Sequence, residues 1–380
     1  MGRPRVTRSQ GAPRRTRWIA LGQGLLLLSG SLLFCALCLE VALRVAPELF
    51  GMRTANALFS RYTTKPGGIY FYEWSSDMFF MHPDFETTAY FNGYRWHHVT
   101  DARGFRNPAG RPVDGTLLLG DSLVYGHGVE EQEGLASQLE SDYGRDVYNL
   151  SRQGDSLYQH YVLLRAYLEP FRPETVVIFV FHNDYQDLLN YRGIERLEEA
   201  PELERQDYDR LRQELAARES NPHSWSRLIR YRSLTYRLFL VLRSRIQRAA
   251  EEDADAALGE DAAENPLDRP LLDPHTYPVL RRYFDRILAD LAERCDAVGA
   301  RLVVINLDAY PTATSETAEA KERARQLLVS ATDRHGIAFF DTGDLITACE
   351  ACVLPSDGHL TEEGHRRLAA FVASALDSTR

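Results

Sequence analysis

The sequence predicts an α/β fold in which a parallel sheet carries helices on both faces. Three observations lead there. Short apolar runs at 116–119, 146–150, 175–181, 301–307 and 337–341 read as strands. Helical patterns at 131–143, 156–170, 275–299, 316–334 and 361–377 alternate with them, and such alternation argues for parallel strands joined through helices. Polar clusters stand where several of the strands end, which is where ligands collect in open parallel sheets. With 380 residues there is room for one large domain with a substantial core.

The chain begins with six arginines and no acid in residues 1–17. Trp18 to Leu39 then runs without a charge, interrupted mainly by Gln23, Ser29 and Ser31. About 20 apolar residues cross the hydrocarbon core as a helix. A signal peptide has a shorter apolar region and a small-residue cleavage site, and no good site of that kind follows here. The segment 18–43 is therefore expected to be an uncleaved transmembrane helix, with 1–17 as a basic cytoplasmic tail. The rest of the chain would then lie outside the cytoplasm. Phe34 and Leu37 occupy the positions where small residues should precede a lipid-modified cysteine, so Cys35 and Cys38 are not read as lipid sites.

Residues 44–110 form an aromatic-rich lead-in. Thr87 to Phe91 and Tyr94 to Val99 flank Asn92-Gly93, a strong hairpin signal because both turn residues tolerate positive φ. His82, His97 and His98 lie nearby but lack the spacing of a known metal site. The domain proper is expected over 111–380, interrupted by an insertion at about 185–273 where the alternation stops. Within the insertion, 194–219 is charged with a helical tendency, and Trp225 to Arg248 is apolar with seven arginines. A basic amphipathic helix can rest on an anionic membrane. The preferred reading is a lid helix that packs Leu228, Leu234, Leu238 and Leu242 on the domain. Glu251 to Glu264 is rich in alanine and acid without a base, which reads as a linker.

Net charge is −10, and the basic residues are scattered outside two local clusters, so no nucleic-acid footprint is present. Cys349-Glu350-Ala351-Cys352 is a C-x-x-C with no second pair, which argues against zinc. A local disulfide fits an oxidising compartment; two free thiols are the alternative.

The polar clusters carry the chemistry. Gly120-Asp121-Ser122 follows the strand 116–119; Ser151-Arg152-Gln153-Gly154 follows 146–150; His182-Asn183-Asp184 follows 175–181; Asp357-Gly358-His359 precedes the last helix. In this order the four blocks resemble the SGNH/GDSL hydrolase superfamily, over roughly Arg111 to the C-terminus. The resemblance implies a three-layer α/β/α, flavodoxin-like SGNH domain, here with an N-terminal transmembrane helix and a helical insertion. It implies Ser122 as nucleophile, His359 as base and Asp357 as its partner. The Ser122 and Gly154 backbone N–H groups and the Asn183 side-chain amide would form the oxyanion hole. It implies no cofactor and no metal.

Two departures from the family pattern stand out. Phe181 occupies the place of a glycine in the third block, and the last pair is Asp-x-His rather than Asp-x-x-His. The tighter spacing is similar to SGNH-type O-acetyltransferases of bacterial exopolysaccharide systems. The stretch Asp101 to Asn107 resembles a segment that precedes the nucleophile strand in membrane-anchored bacterial members. An arginine at the mouth of the site or a structural ion pair would account for it, the ion pair being preferred.

Serine needs a base to take its proton, and a neutral imidazole suits that role near neutral pH. His127, His182, His335 and His365 compete with His359 for it; His365 reads as a surface or capping residue. The function expected is a membrane-anchored periplasmic serine esterase. It would remove ester-linked acyl groups, acetyl above all, from a substrate in which a cell-envelope carbohydrate is the inferred carrier. An O-acyltransferase with the same residues and a non-catalytic glycan-binding or assembly subunit are the alternatives. The sequence names no protein partner.

Overall fold

The computed structural model describes residues 14–59, 69–73, 78–190, 233–243, 269–309, 314–355 and 357–379. Most of the basic tail, the charged stretch 194–219, the acidic stretch 251–264 and both ends of the 225–248 segment lie outside the described residues.

Helix α1 (Arg14–Val45) is continuous, and its Gly22–Val45 part is long and apolar enough to cross a membrane. Leu26, Leu33 and Phe34 on it are exposed. A 3₁₀ turn at Pro47–Phe50 leads to α2 (Met52–Phe59). Two antiparallel pairs follow, β1 (Tyr70–Glu73) with β2 (Met78–Met81) and β3 (Glu86–Phe91) with β4 (Tyr94–Val99). The second is the hairpin expected around Asn92-Gly93, whose φ angles of +48° and +91° supply the tight turn. Asn56 of α2 braces that turn by accepting from the Asn92 N–H at 2.9 Å.

The remaining elements are β5 (Thr116–Leu119), α3 (Ser122–Tyr125), α4 (Leu135–Tyr143), β6 (Val147–Asn149), α5 (Leu157–Phe171), β7 (Thr175–Val180) and α6 (Asp184–Asn190). Then come α7 (234–243), α8 (Arg269–Leu272), α9 (Thr276–Val298), β8 (Arg301–Asn306), α10 (Ser315–His335), β9 (Ala338–Asp341) and α11 (Glu362–Ser378). Strands β5 to β9 form one parallel sheet in the order β6-β5-β7-β8-β9.

Successive residues of a strand face opposite sides of a sheet, and the core divides accordingly. Leu117, Leu119, Val176, Ile178, Leu302 and Val304 pack toward α5, α9 and α10. Leu118, Val177, Phe179, Val303 and Ile305 pack toward α4 and α11. Both faces are covered, so every central strand reads as a continuous apolar run. The lead-in shares the first of these cores through Tyr70, Phe80, Trp96 and Phe105.

Three expectations need correcting. The helix expected at 131–143 is broken: Glu131–Glu133 is a 3₁₀ turn, and Gly134 is extended before α4 starts. The arginine expected in an ion pair within 101–107 instead binds carbonyls. Arg106, 2% exposed, donates to the oxygens of Tyr125, Gly126, Val129 and His97. The expected lid helix packs on α1 and α2 rather than the sheet domain. Leu234 and Leu238 of α7 meet Leu39, Leu43 and Leu58. The Glu40 carboxylate of α1 accepts from the Leu234 and Thr235 N–H groups at 3.0 and 2.9 Å, which caps α7. Leu242 is exposed, and Leu228 lies outside the described residues.

Candidate active site

Ser122 stands directly beyond β5, held by a turn that only a small residue allows. A Cβ on Gly120 would sit 2.4 Å from a methyl of Val124, so the chain passes too close there for any side chain. Asp121 caps α3 by accepting from the Leu123 N–H at 2.9 Å. This aims Ser122, 8% exposed, away from the sheet with its backbone N–H at a helix start. The following segment is held from behind by three Arg106 bonds, to the carbonyls of Tyr125, Gly126 and Val129.

The sheet order brings the next two blocks alongside. β6 and β7 are the hydrogen-bonded neighbours of β5, so Gly154 and Asn183 lie beyond the strands on either side of Ser122. Gly154 has φ +78°, a conformation glycine adopts at little cost. The Asn183 amide donates one hydrogen to Asp187 at 3.0 Å, leaving its second N–H available.

The last block arrives from the other end of the chain on a closed loop. Val353 and Leu360 form an antiparallel bridge, and the Leu354 N–H donates to the His359 carbonyl at 2.7 Å. Gly358 between the two polar residues has φ +78°. His359 Nε2 lies 2.8 Å from Ser122 Oγ, and His359 Nδ1 lies 2.8 Å from Asp357 Oδ1. Cys349 and Cys352 are disulfide-bonded at the start of this loop, as their spacing led us to expect.

Proton positions follow from the partners. Burial alone would raise the Asp357 carboxyl, but the bond from His359 and the favourable electrostatics of the facing His127 and His359 rings outweigh it and hold it well below the usual carboxylate range. An ionised carboxylate only accepts, so His359 Nδ1 carries a hydrogen and donates it. His359 Nε2 is then left with its lone pair, and the Ser122 hydroxyl donates to it. That is the arrangement a general base requires.

The competing histidines fall elsewhere. His335 pairs with Asp285 at 2.9 Å at the end of α10. His182 lines a cavity of about 400 Å³ with Tyr185, Asn306, Asp308 and Lys321. His365, read from sequence as a surface or capping residue, is fully buried. The cap of α11 is Thr361, which accepts from the Gly364 N–H, while His365 faces the core one turn on. Burial pushes His365 down to about 3. His127 does reach the site: its ring stacks on His359 at 3.9 Å between centroids.

The lead-in contributes more than its sequence suggested. Phe91 of β3 stands edge-on to both His127 and His359, and Trp96 of β4 lies against His127. The Tyr94 hydroxyl donates to the Pro355 carbonyl at 2.5 Å and so ties the hairpin to the loop that carries Asp357 and His359. The turn residues and alternation revealed a hairpin, but nothing local to it indicated what it would cover.

Beneath the site lies a buried acidic group. Burial raises Asp155 to about 7 despite its 2.8 Å pair with Arg152, and burial with Asp121 nearby raises Asp184 well above its ordinary value. Burial and the neighbouring carboxylates thus favour the protonated form of both groups.

Residues 118–367 match the GDSL-like lipase/acylhydrolase family model. No curated protein matches the sequence. Among solved structures, TesA is 16% identical with TM-score 0.39, over 69% of this chain and 98% of that one. The psychrotrophic esterase EstA of Pseudoalteromonas sp. is 12% identical with TM-score 0.38, over 70% of this chain and 100% of that one. The lipase/acylhydrolase of Enterococcus faecalis is 12% identical with TM-score 0.36, over 70% and 96%.

Proposed function

The chain belongs to the GDSL-like lipase/acylhydrolase family, and from that premise we propose that it is a membrane-anchored serine esterase acting outside the cytoplasm on acetyl esters of a cell-envelope glycan. An SGNH-type ester hydrolase is the activity the family carries; the acetyl group, the glycan and the compartment are our reading. The single observation that carries the assignment of residues is the pair of 2.8 Å contacts linking Ser122, His359 and Asp357.

In this reading Ser122 Oγ attacks the ester carbonyl as His359 Nε2 takes its proton. Asp357 keeps Nδ1–H in place and stabilises the imidazolium that forms. The carbonyl oxygen, now negative, is met by the Ser122 and Gly154 N–H groups and the free N–H of Asn183. Each such donor is worth about 10²–10³ in rate. His359 returns its proton to the leaving alcohol, and a water attacks the acyl-serine by the same route. Support for the anchor comes from the exposed apolar surface of α1 after an arginine-rich start. Residues 18–43 are then the span, 44–110 the lead-in and 111–380 the catalytic domain.

The Asp357-x-His359 spacing favours a second reading, acyl transfer to a sugar hydroxyl by the same residues. The full-length protein in detergent, given p-nitrophenyl acetate with and without an unacetylated glycan oligomer, separates the two. We expect acetate release without the oligomer and no acetylated oligomer. Acetyl transfer to the oligomer with little release to water would replace hydrolysis by transfer.

A further inference from the structure

We propose that His127 is a positioning residue, a second imidazole that holds the outer oxygen of Asp357 and thereby orients His359 from behind. The proposal rests on the reading of Ser122, His359 and Asp357 as the catalytic set.

Asp357 has two oxygens and one assigned partner. Oδ1 takes the His359 Nδ1–H, while Oδ2 makes no hydrogen bond among the described residues. His127 Nε2 faces Oδ2 at 3.6 Å, and the two side chains are 0% and 1% exposed. That distance is too long for a direct hydrogen bond but short for an electrostatic contact in a site closed to water. A buried carboxylate oxygen without a donor is costly, and His127 supplies the N–H that faces it.

The partners of His127 fix which nitrogen holds its hydrogen. Because Asp357 is ionised and can only accept, Nε2 must carry a hydrogen. The Gln153 amide nitrogen lies on His127 Nδ1 and donates to it, so Nδ1 holds a lone pair and the ring is neutral. Neutrality is useful because His127 stacks on His359 at 3.9 Å with 22° between the planes. A second cation there would oppose the imidazolium that His359 becomes when it takes the serine proton.

From β3 and β4 the His127 ring meets Phe91 and Trp96, and from the turn after β6 it meets Gln153. Among the described residues, titratable groups facing it include Asp357 and His359, both of the closing loop; Tyr94 of β4 acts on Asp357. The Arg106 guanidinium is spent on the carbonyls flanking His127, which sets the height of the loop. The physical need comes from the short Asp-x-His connection. With Oδ1 alone engaged, the carboxylate can turn about its own axis and carry the His359 Nδ1 contact with it. A donor on Oδ2 removes that freedom.

Two substitutions in the full-length protein separate positioning from packing. His127→Phe keeps the ring and its stack but brings no N–H; His127→Gln gives up the stack but can present an N–H to Oδ2. With p-nitrophenyl acetate, His127→Phe is expected to lower kcat by about 10–10²-fold, the scale of a misplaced catalytic group, with KM nearly unchanged. His127→Gln is expected to keep most of the wild-type kcat. The reverse ranking, or wild-type kcat in His127→Phe, would mean that the ring only packs and would overturn the proposal. If neither variant folds, nitrogen NMR of wild-type protein labelled with ¹⁵N-histidine decides. The Nε2–H tautomer at His127 supports the proposal, and the Nδ1–H tautomer ends it. Ser122→Ala is measured alongside. If it is inactive while His127→Phe is fully active, only the role of His127 fails; if it is itself active, the underlying catalytic set fails.

Discussion

At the scale of residues, the site depends on a few polar groups whose states are set by their neighbours. Asp357 stays ionised because two imidazoles outweigh its burial, and this in turn fixes the His359 tautomer. Asn183 is held by Asp187 through one hydrogen and offers the other. In our account that second N–H meets the oxyanion only as it forms. Asn183→Ala should therefore lower kcat by about 10²–10³ and leave KM nearly unchanged. A rise in KM with kcat intact would mean that the amide binds substrate instead. Ser122, Asn183, Asp357 and His359 could be picked out from sequence as candidates because each sits at the end of a strand or before a helix, where the local pattern is plain. Arg106 and His127 could not be assigned. Their roles depend on carbonyls and a carboxylate that only the folded chain brings near.

At the scale of elements, the five strands were legible because both faces of the sheet are buried and each strand is a short unbroken apolar run. The expected and observed limits differ by a residue or so, as for 175–181 against Thr175–Val180. The break at Gly134 was missed because Glu131, Gln132 and Glu133 before it are residues that favour helices, so composition alone continues the helical pattern up to Leu135. The partner of α7 was missed for a different reason. Its leucine spacing shows an apolar face but not what covers it. Glu40, which caps α7, is almost two hundred residues away in sequence. The hairpin of β3 and β4 was legible as a hairpin, while its place over His127 and His359 is a tertiary fact. The short loop carrying Asp357 and His359 is closed by the Val353–Leu360 bridge, which is why so tight a spacing still lets both side chains reach the same side.

At the scale of the whole molecule, buried imidazoles couple stability to pH. Burial holds His160 and His365 down to about 3, against an ordinary value of 6.5. Between those values the unfolded chain binds a proton that the folded chain refuses, so each contributes stability at neutral pH that is lost as pH falls from about 6.5 toward 3. Asp155, raised to about 7 by burial, acts in the opposite direction and is common to wild type and variant. The melting temperature of His365→Leu should therefore fall less steeply than that of wild type between pH 6.5 and 4. Parallel curves would show that His365 does not titrate with folding. The central claim is that Ser122 and His359, 237 residues apart, meet as one catalytic unit, and kcat for Ser122→Ala, His359→Ala and the double substitution tests it most directly. Groups that act as a unit lose activity together, so the account predicts equal large losses in the single variants and no further loss in the double. Hydrolysis surviving in Ser122→Ala, or losses that multiply in the double variant, would contradict it.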